Sequence, residues 1–155
     1  MQTRTVQILA SLLFLTTAIS SCDKKEVSSW DKMVEVNNQI VSPVFPDRTF
    51  VITDYHDVKD TLYTNAINQA IAICSEQGGG KVVIPNGEFF TASIRLKSNV
   101  NLHLSDSTIL KFTTDPFLFD TVQTRIEGID CYNISPLIYA YGESNIAITG
   151  NGVMD

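Results

Sequence analysis

After Gly78-Gly79-Gly80 the chain never runs apolar for long. "KVVIP", "EFFTASIRL", "NVNLHL" and "STILKF" are short bursts of β-forming residues, parted by Pro85, the Asn86-Gly87 turn and small clusters of Asn, Ser and Lys. In Val100-Asn101-Leu102-His103-Leu104 apolar and polar residues alternate strictly, so Val100, Leu102 and Leu104 share one face of a strand. Further strands are predicted at Thr49 to Ile52, Leu137 to Tyr141 and Asn145 to Thr149. A chain broken this often has two main ways to bury its apolar faces. One is an antiparallel sandwich of tight hairpins. The other is a parallel β-helix, in which short strands of successive coils stack and turns fill the corners.

One stretch has a different period. In "TLYTNAINQAIAICSEQGGG" the residues Ala66, Ile67, Ala70, Ile71 and Cys74 fall on one face of an α-helix, predicted over Leu62 to Gln77. Asp60, Thr61 and Thr64 are candidate N-caps, and Gly78 is placed to end the helix in a left-handed conformation. A lone amphipathic helix before the first coil favours the β-helix over the sandwich. The open end of a β-helix exposes both its core and unpaired backbone, and such a helix covers both.

The N-terminus reads as a targeting segment. A head carrying Arg4 leads to an apolar run from Ile8 to Leu15 and then to small residues before Cys22. That is the layout of a secretory signal peptide, too short in its apolar part to span a bilayer. Ile19-Ser20-Ser21-Cys22 resembles a bacterial lipobox, in which the cysteine is lipidated and becomes the new N-terminus. The expected organisation is a signal peptide over residues 1–21, a polar tether over 22–43 and a β domain over 44–155. The resemblance implies a chain lipid-anchored at Cys22 in a bacterial cell envelope. Which membrane and leaflet it occupies stays open.

The formal charge of −6 over 155 residues excludes a general nucleic-acid binder, which needs clustered Lys and Arg. It also weighs against a polyanionic substrate unless a local basic cleft overrides it. Asp54, Asp57 and Asp60 lack the Gly and terminal Glu of a calcium loop and read as a solvated turn. "GGGK" lacks the spacing of a phosphate loop and leads into a strand. No metal or other cofactor is therefore expected. Cys74 reads as a buried thiol; Cys131 is a possible partner for it in an oxidising compartment, a pairing the sequence leaves open.

The segment "NAINQAIAICSEQGGGKVVIPNGEFFTASIRLKSNVNLHLSDSTIL" resembles the opening of glycoside hydrolase family 28, the polygalacturonase-like pectin hydrolases. The matching positions are Ala66 to Ile71, Gly78 to Gly80, Val82, Ile84, Pro85, Gly87, Phe89, Thr91, Ile94 and Leu96 to Leu104. "TRIEGIDCYNISPLIYAYGESNIAITGNGVMD" is similar to a later segment of the same family, with Ala92, Ile126 and Ile134 departing from its pattern. The resemblance implies an all-β fold: the first coils of a right-handed, pectin-lyase-like parallel β-helix behind a capping helix. It implies inverting hydrolysis of galacturonosyl linkages in a pectic polysaccharide, by an enzyme monomeric at full length. The N-T-D, D-D, G-H-G and R-I-K motifs that carry the family's catalysis do not occur. No catalytic residue is therefore assigned, and the expectation is an N-terminal portion, inert alone.

In "TRIEGID" two readings stay open. Arg125 and Glu127 are candidate substrate-binding residues on a wall of the groove, with Arg125 facing a uronate carboxylate. Alternatively the loop is scaffold, held by its own salt bridges. A calcium-dependent polysaccharide lyase and a non-enzymatic surface polysaccharide-binding module are the competing functions.

Overall fold

The computed structural model describes residues 28–155. Cys22 and the expected signal peptide over residues 1–21 lie outside the described residues. The chain divides into two compact units, residues 1–41 and 42–155. The described part of the first is a helix, α1 (Ser29–Gln39). Ser28 is its N-cap, its side chain accepting from the Trp30 N–H at 3.3 Å, and Asp31 lies in the first turn where the helix dipole favours an anion. Where the sequence suggested a tether without sustained period, three turns of helix form.

The second unit is built from parallel ladders. Strands β1 (Thr49–Val51), β2 (Gly80–Ile84), β5 (Val100–Leu104) and β10 (Ala147–Gly150) form one sheet in the order β1-β2-β5-β10. Strands β3 (Gly87–Thr91), β6 (Thr108–Phe112) and β11 (Val153–Met154) form a second, with β6 central. A third pairs β4 (Ile94–Arg95) with β9 (Ile138–Tyr139). Every pairing in these sheets is parallel, and each sheet takes one strand from each successive coil. Tight hairpins cannot make this pattern, so the sandwich is excluded and the fold is a parallel β-helix. The exception is β7 (Thr121–Ile126) with β8 (Ile129–Ile134), an antiparallel hairpin inserted between β6 and β9.

The register explains the alternation in the sequence. Phe50, Val82, Leu102 and Ile148 occupy one rung position through four coils. The first three are buried, while Ile148 on the last rung is 45% exposed. Val100, Leu102 and Leu104 all point into the core, as predicted. Burying a side chain such as Leu102 contributes about 1.5–3 kcal/mol. Some strands differ from expectation. "EFFTASIRL" is two strands, because the chain turns a corner at Ala92-Ser93 and both residues are buried there. Leu137 to Tyr141 shrinks to β9, and Thr49 to Ile52 ends at Val51, where a 3-10 turn (Ile52–Tyr55) begins.

The capping helix α2 (Thr64–Glu76) covers the first full coil. Its buried face is Ala66, Ile67, Ala70, Ile71 and Cys74, the five residues the sequence pattern selects. Its polar residues satisfy strand-edge groups that have no preceding coil to pair with. The Ala92 N–H donates to Thr64 Oγ1 at 2.7 Å. Asn68 accepts from the Arg95 N–H at 2.8 Å and donates to the Ser93 carbonyl at 3.0 Å. Ser75 Oγ donates to the Ser98 carbonyl at 2.8 Å. None of the three candidate N-caps serves: the N-cap is Tyr63, without a side-chain cap bond, and its own N–H donates to the Phe90 carbonyl at 2.7 Å. Docking on the coil thus replaces the usual cap. At the other end Gly78, at φ +91°, sits just past the helix, and two bonds complete a Schellman motif: Gly79 N–H to Cys74 at 2.8 Å and Gly78 N–H to Ser75 at 2.9 Å.

Candidate functional site

The hairpin β7–β8 and the β4–β9 sheet enclose a cleft of about 660 Å³. Arg95 and Tyr139 are register partners on the sheet side. The hairpin contributes Thr121 to Arg125 and Asp130, and Tyr141 borders the opening. The sheet side is rigid because β4 is fixed by Asn68 of α2 on one edge and by β9 on the other.

The local charge differs from that of the whole chain. Arg95 and Arg125 both line the cleft. Arg95 Nη2 lies 2.9 Å from Asp120 Oδ2, at the base of the hairpin. Arg125 Nε donates to the Gly128 carbonyl at 3.1 Å and lies 3.5 Å from Asp130 Oδ1. Both arginines are substantially solvent-exposed, so these pairs position side chains more than they stabilise the fold. Arg125 is held by its Nε, and its terminal nitrogens have no hydrogen-bond partner among the described residues. A guanidinium anchored this way presents its outer edge for a planar anion such as a carboxylate. Tyr139 and Tyr141 add aromatic surface, which suits the apolar faces of sugar rings.

Of the residues singled out in "TRIEGID", Arg125 reaches the cleft and is also tied to Asp130, so features of both open readings occur together. Glu127 sits in the tight turn between the strands at φ +51°, and is not among the residues lining the cleft. Arg95, Tyr139 and Tyr141 were not singled out by sequence reasoning. The signal for Arg95 and Tyr139 was the spacing of coils, which fixes their register, but a two-residue strand cannot be phased from pattern alone.

Other candidates resolve as structure. Cys74 is buried and Cys131 half-buried, and both are free thiols. Burial pushes the Cys74 thiol up, against a smaller opposing pull from Arg48. Asp57 accepts from the Lys59 N–H at 3.0 Å and Asp60 from Asn65 Nδ2 at 3.0 Å, the local bonds of a turn. His103 is hydrogen-bonded to Thr149 Oγ1 at 2.9 Å on the outer face of the β5–β10 ladder.

The chain is similar to solved structures of two pectin-related enzymes. A hyperthermoactive exopolygalacturonase from Thermotoga maritima shares 41% identity at a TM-score of 0.70, over 79% of this chain and 28% of that one. A family 28 exopolygalacturonase from Yersinia enterocolitica shares 28% identity at a TM-score of 0.59, over 70% of this chain and 20% of that one. No family model matches the chain, and no curated protein does. The chain thus spans less than a third of the length of either enzyme. The stacked coils, the capping helix and these likenesses identify the chain as a relative of glycoside hydrolase family 28, the polygalacturonase-like enzymes, built on their right-handed parallel β-helix.

Proposed function

We propose that these residues form the substrate-binding N-terminal coils of a glycoside hydrolase that cleaves galacturonosyl linkages of pectic backbones with inversion. The observation that carries this reading is the cleft, where two arginines and two tyrosines converge in a chain that over 79% of its length is 41% identical in sequence to part of an exopolygalacturonase. A polymer of uronates offers a carboxylate and a sugar face at every residue, and the cleft offers partners for both. Within the reading this cleft binds and does not cut. Inversion needs a carboxylic acid and a carboxylate base about 6.5–9.5 Å apart with a water between them. The acids beside the cleft, Asp120 and Asp130, are each engaged by an arginine. The catalytic pair is then supplied by residues outside those described. The reading also places the enzyme at the bacterial cell envelope through a lipid on Cys22, supported by the lipobox-like Ile19-Ser20-Ser21-Cys22.

The test is release of reducing ends from polygalacturonate. The 155-residue chain alone is expected to release none, while a gene product that continues the β-helix releases them with inverted anomeric configuration. Cleavage by the chain alone would place the catalytic acids within it and refute the reading. Products carrying an unsaturated terminal sugar would point to a lyase instead.

A further inference from the structure

Helix α1 is more than a spacer. At 3.6 residues per turn, Trp30, Met33, Val34 and Val36, extended by Ile40 at the C-cap, fall on one side of the helix axis, interrupted there by Ser29 and Asn37, and Asp31, Lys32, Glu35, Asn38 and Gln39 fall on the other. Every residue of α1 is exposed, and Trp30 at 72% is the most open of its apolar residues. With this division, and with no described residue packed on its apolar side, the helix is a surface open to an occupant.

We propose that the occupant is the lipid surface itself, α1 lying in the membrane interface with its Trp30–Met33–Val34 side down. Position argues for lipid. Residues 23–27 separate Cys22 from the Ser28 cap, so an acylated Cys22 holds the start of α1 within about 20 Å of the acyl chains even at full extension. Tryptophan favours that boundary, where its ring is half in apolar surroundings. Among the described residues no helix is long and apolar enough to cross a membrane, so α1 lies on the surface and does not span it. Charge sets the mode of binding. With Asp31, Lys32 and Glu35 as its charged residues, α1 carries no excess of cations. Attraction to anionic headgroups therefore contributes little, and burial of apolar side chains drives the contact. The role is a second hold on the membrane: an acyl chain ties down one point of the protein, and an interfacial helix adds an apolar face beside it.

Trp30 is the sole tryptophan of the sequence, so its fluorescence reports on this helix alone. The acylated chain is reconstituted into phosphatidylcholine vesicles, its N-terminus checked by mass spectrometry. Trp30 emission is expected to shift to the blue relative to detergent-free Cys22→Ser protein, and to be quenched by brominated acyl chains. Replacing a fifth of the lipid with phosphatidylglycerol, or raising the salt, is expected to leave the signal unchanged. Met33→Glu, an exposed site where folding is not at stake, is expected to reduce the quenching several-fold. Emission that stays water-like, or that is blue-shifted without any response to brominated lipid, overturns the proposal. So does a mature chain without an acyl group on Cys22, since the argument for lipid as occupant starts from that anchor. None of these outcomes depends on hydrolase activity.

Discussion

The side chain of Asn145 donates to that of Asn99 across one coil of the β-helix at 3.0 Å, and both residues hold left-handed backbones, at φ +54° and +64°. Gly79, at φ +99°, takes the same place one coil earlier, immediately before β2. Strands β2, β5 and β10 of this stack are thus each entered through a left-handed residue. Asn tolerates that conformation and can bond to the neighbouring coil, whereas a Cβ at Gly79 would collide with the Asn99 carbonyl. Asn145 Nδ2 also reaches the Val44 carbonyl at 3.0 Å.

Asn145→Ala loses both bonds and keeps the backbone penalty. It is expected to lower unfolding stability by about 1–3 kcal/mol. Asn145→Gly is expected to cost less, since it removes the strain along with the bonds. Chemical denaturation of the two variants side by side checks the order.

The helix-to-coil bonds carry a second prediction. Asn68→Leu keeps the helix and much of its volume but strands the Arg95 N–H and the Ser93 carbonyl. Leaving the part-buried Ser93 carbonyl unpaired costs about 1–3 kcal/mol and the exposed Arg95 N–H less, in sum more than a surface change on the same helix. Gln69→Ala, at an exposed position, serves as the control and is expected to stay within about 0.5 kcal/mol of the parent. Equal melting temperatures for both variants would mean that the cap is held by its apolar face alone.

A third prediction concerns pH. Glu143 accepts from Ser98 Oγ at 2.6 Å and from the Ser98 N–H at 2.8 Å, with Lys97 at 3.3 Å. These Ser98 bonds, helped by Lys97 and opposed by partial burial, hold its carboxyl below the usual carboxylate range. A depressed folded pKa means that the stabilisation is fully present above the unfolded value, about 4.3, and is lost as pH falls through the lower folded value. The parent is therefore expected to lose more stability than Glu143→Gln between pH 6 and strongly acidic pH. Parallel pH profiles of unfolding free energy would refute it.

How far the sequence could be read follows from how each element is made. The core face of α2 was legible because Ala66, Ile67, Ala70, Ile71 and Cys74 have to meet one apolar surface, and period alone selects them. Strand β5 was legible for the same reason, its inward residues alternating with Asn101 and His103. The N-cap was not, because Tyr63 owes its place to the Phe90 carbonyl, a contact remote in sequence. The hairpin β7–β8 was missed because nearly all its residues are exposed or half-exposed, so no burial pattern phases it. Recognition of the loop as a candidate wall rested on Arg125, a residue type whose chemistry is visible without a fold. Arg95 and the two tyrosines needed the stacked register before they could be grouped with it.

The account turns on Arg125 as a ligand for the uronate carboxylate. The direct measurement is steady-state kinetics of the hydrolase carrying Arg125→Ala, on polygalacturonate and on its methyl-esterified form. A contact made equally in ground and transition states changes KM more than kcat. Loss of an exposed charge-assisted pair is expected to raise KM on the acidic polymer roughly five- to tenfold, with kcat little changed and with a smaller effect on the ester. Unchanged KM and kcat on the acidic polymer would contradict the account, leaving the Arg125–Asp130 pair as a brace within the hairpin and the cleft without its proposed ligand.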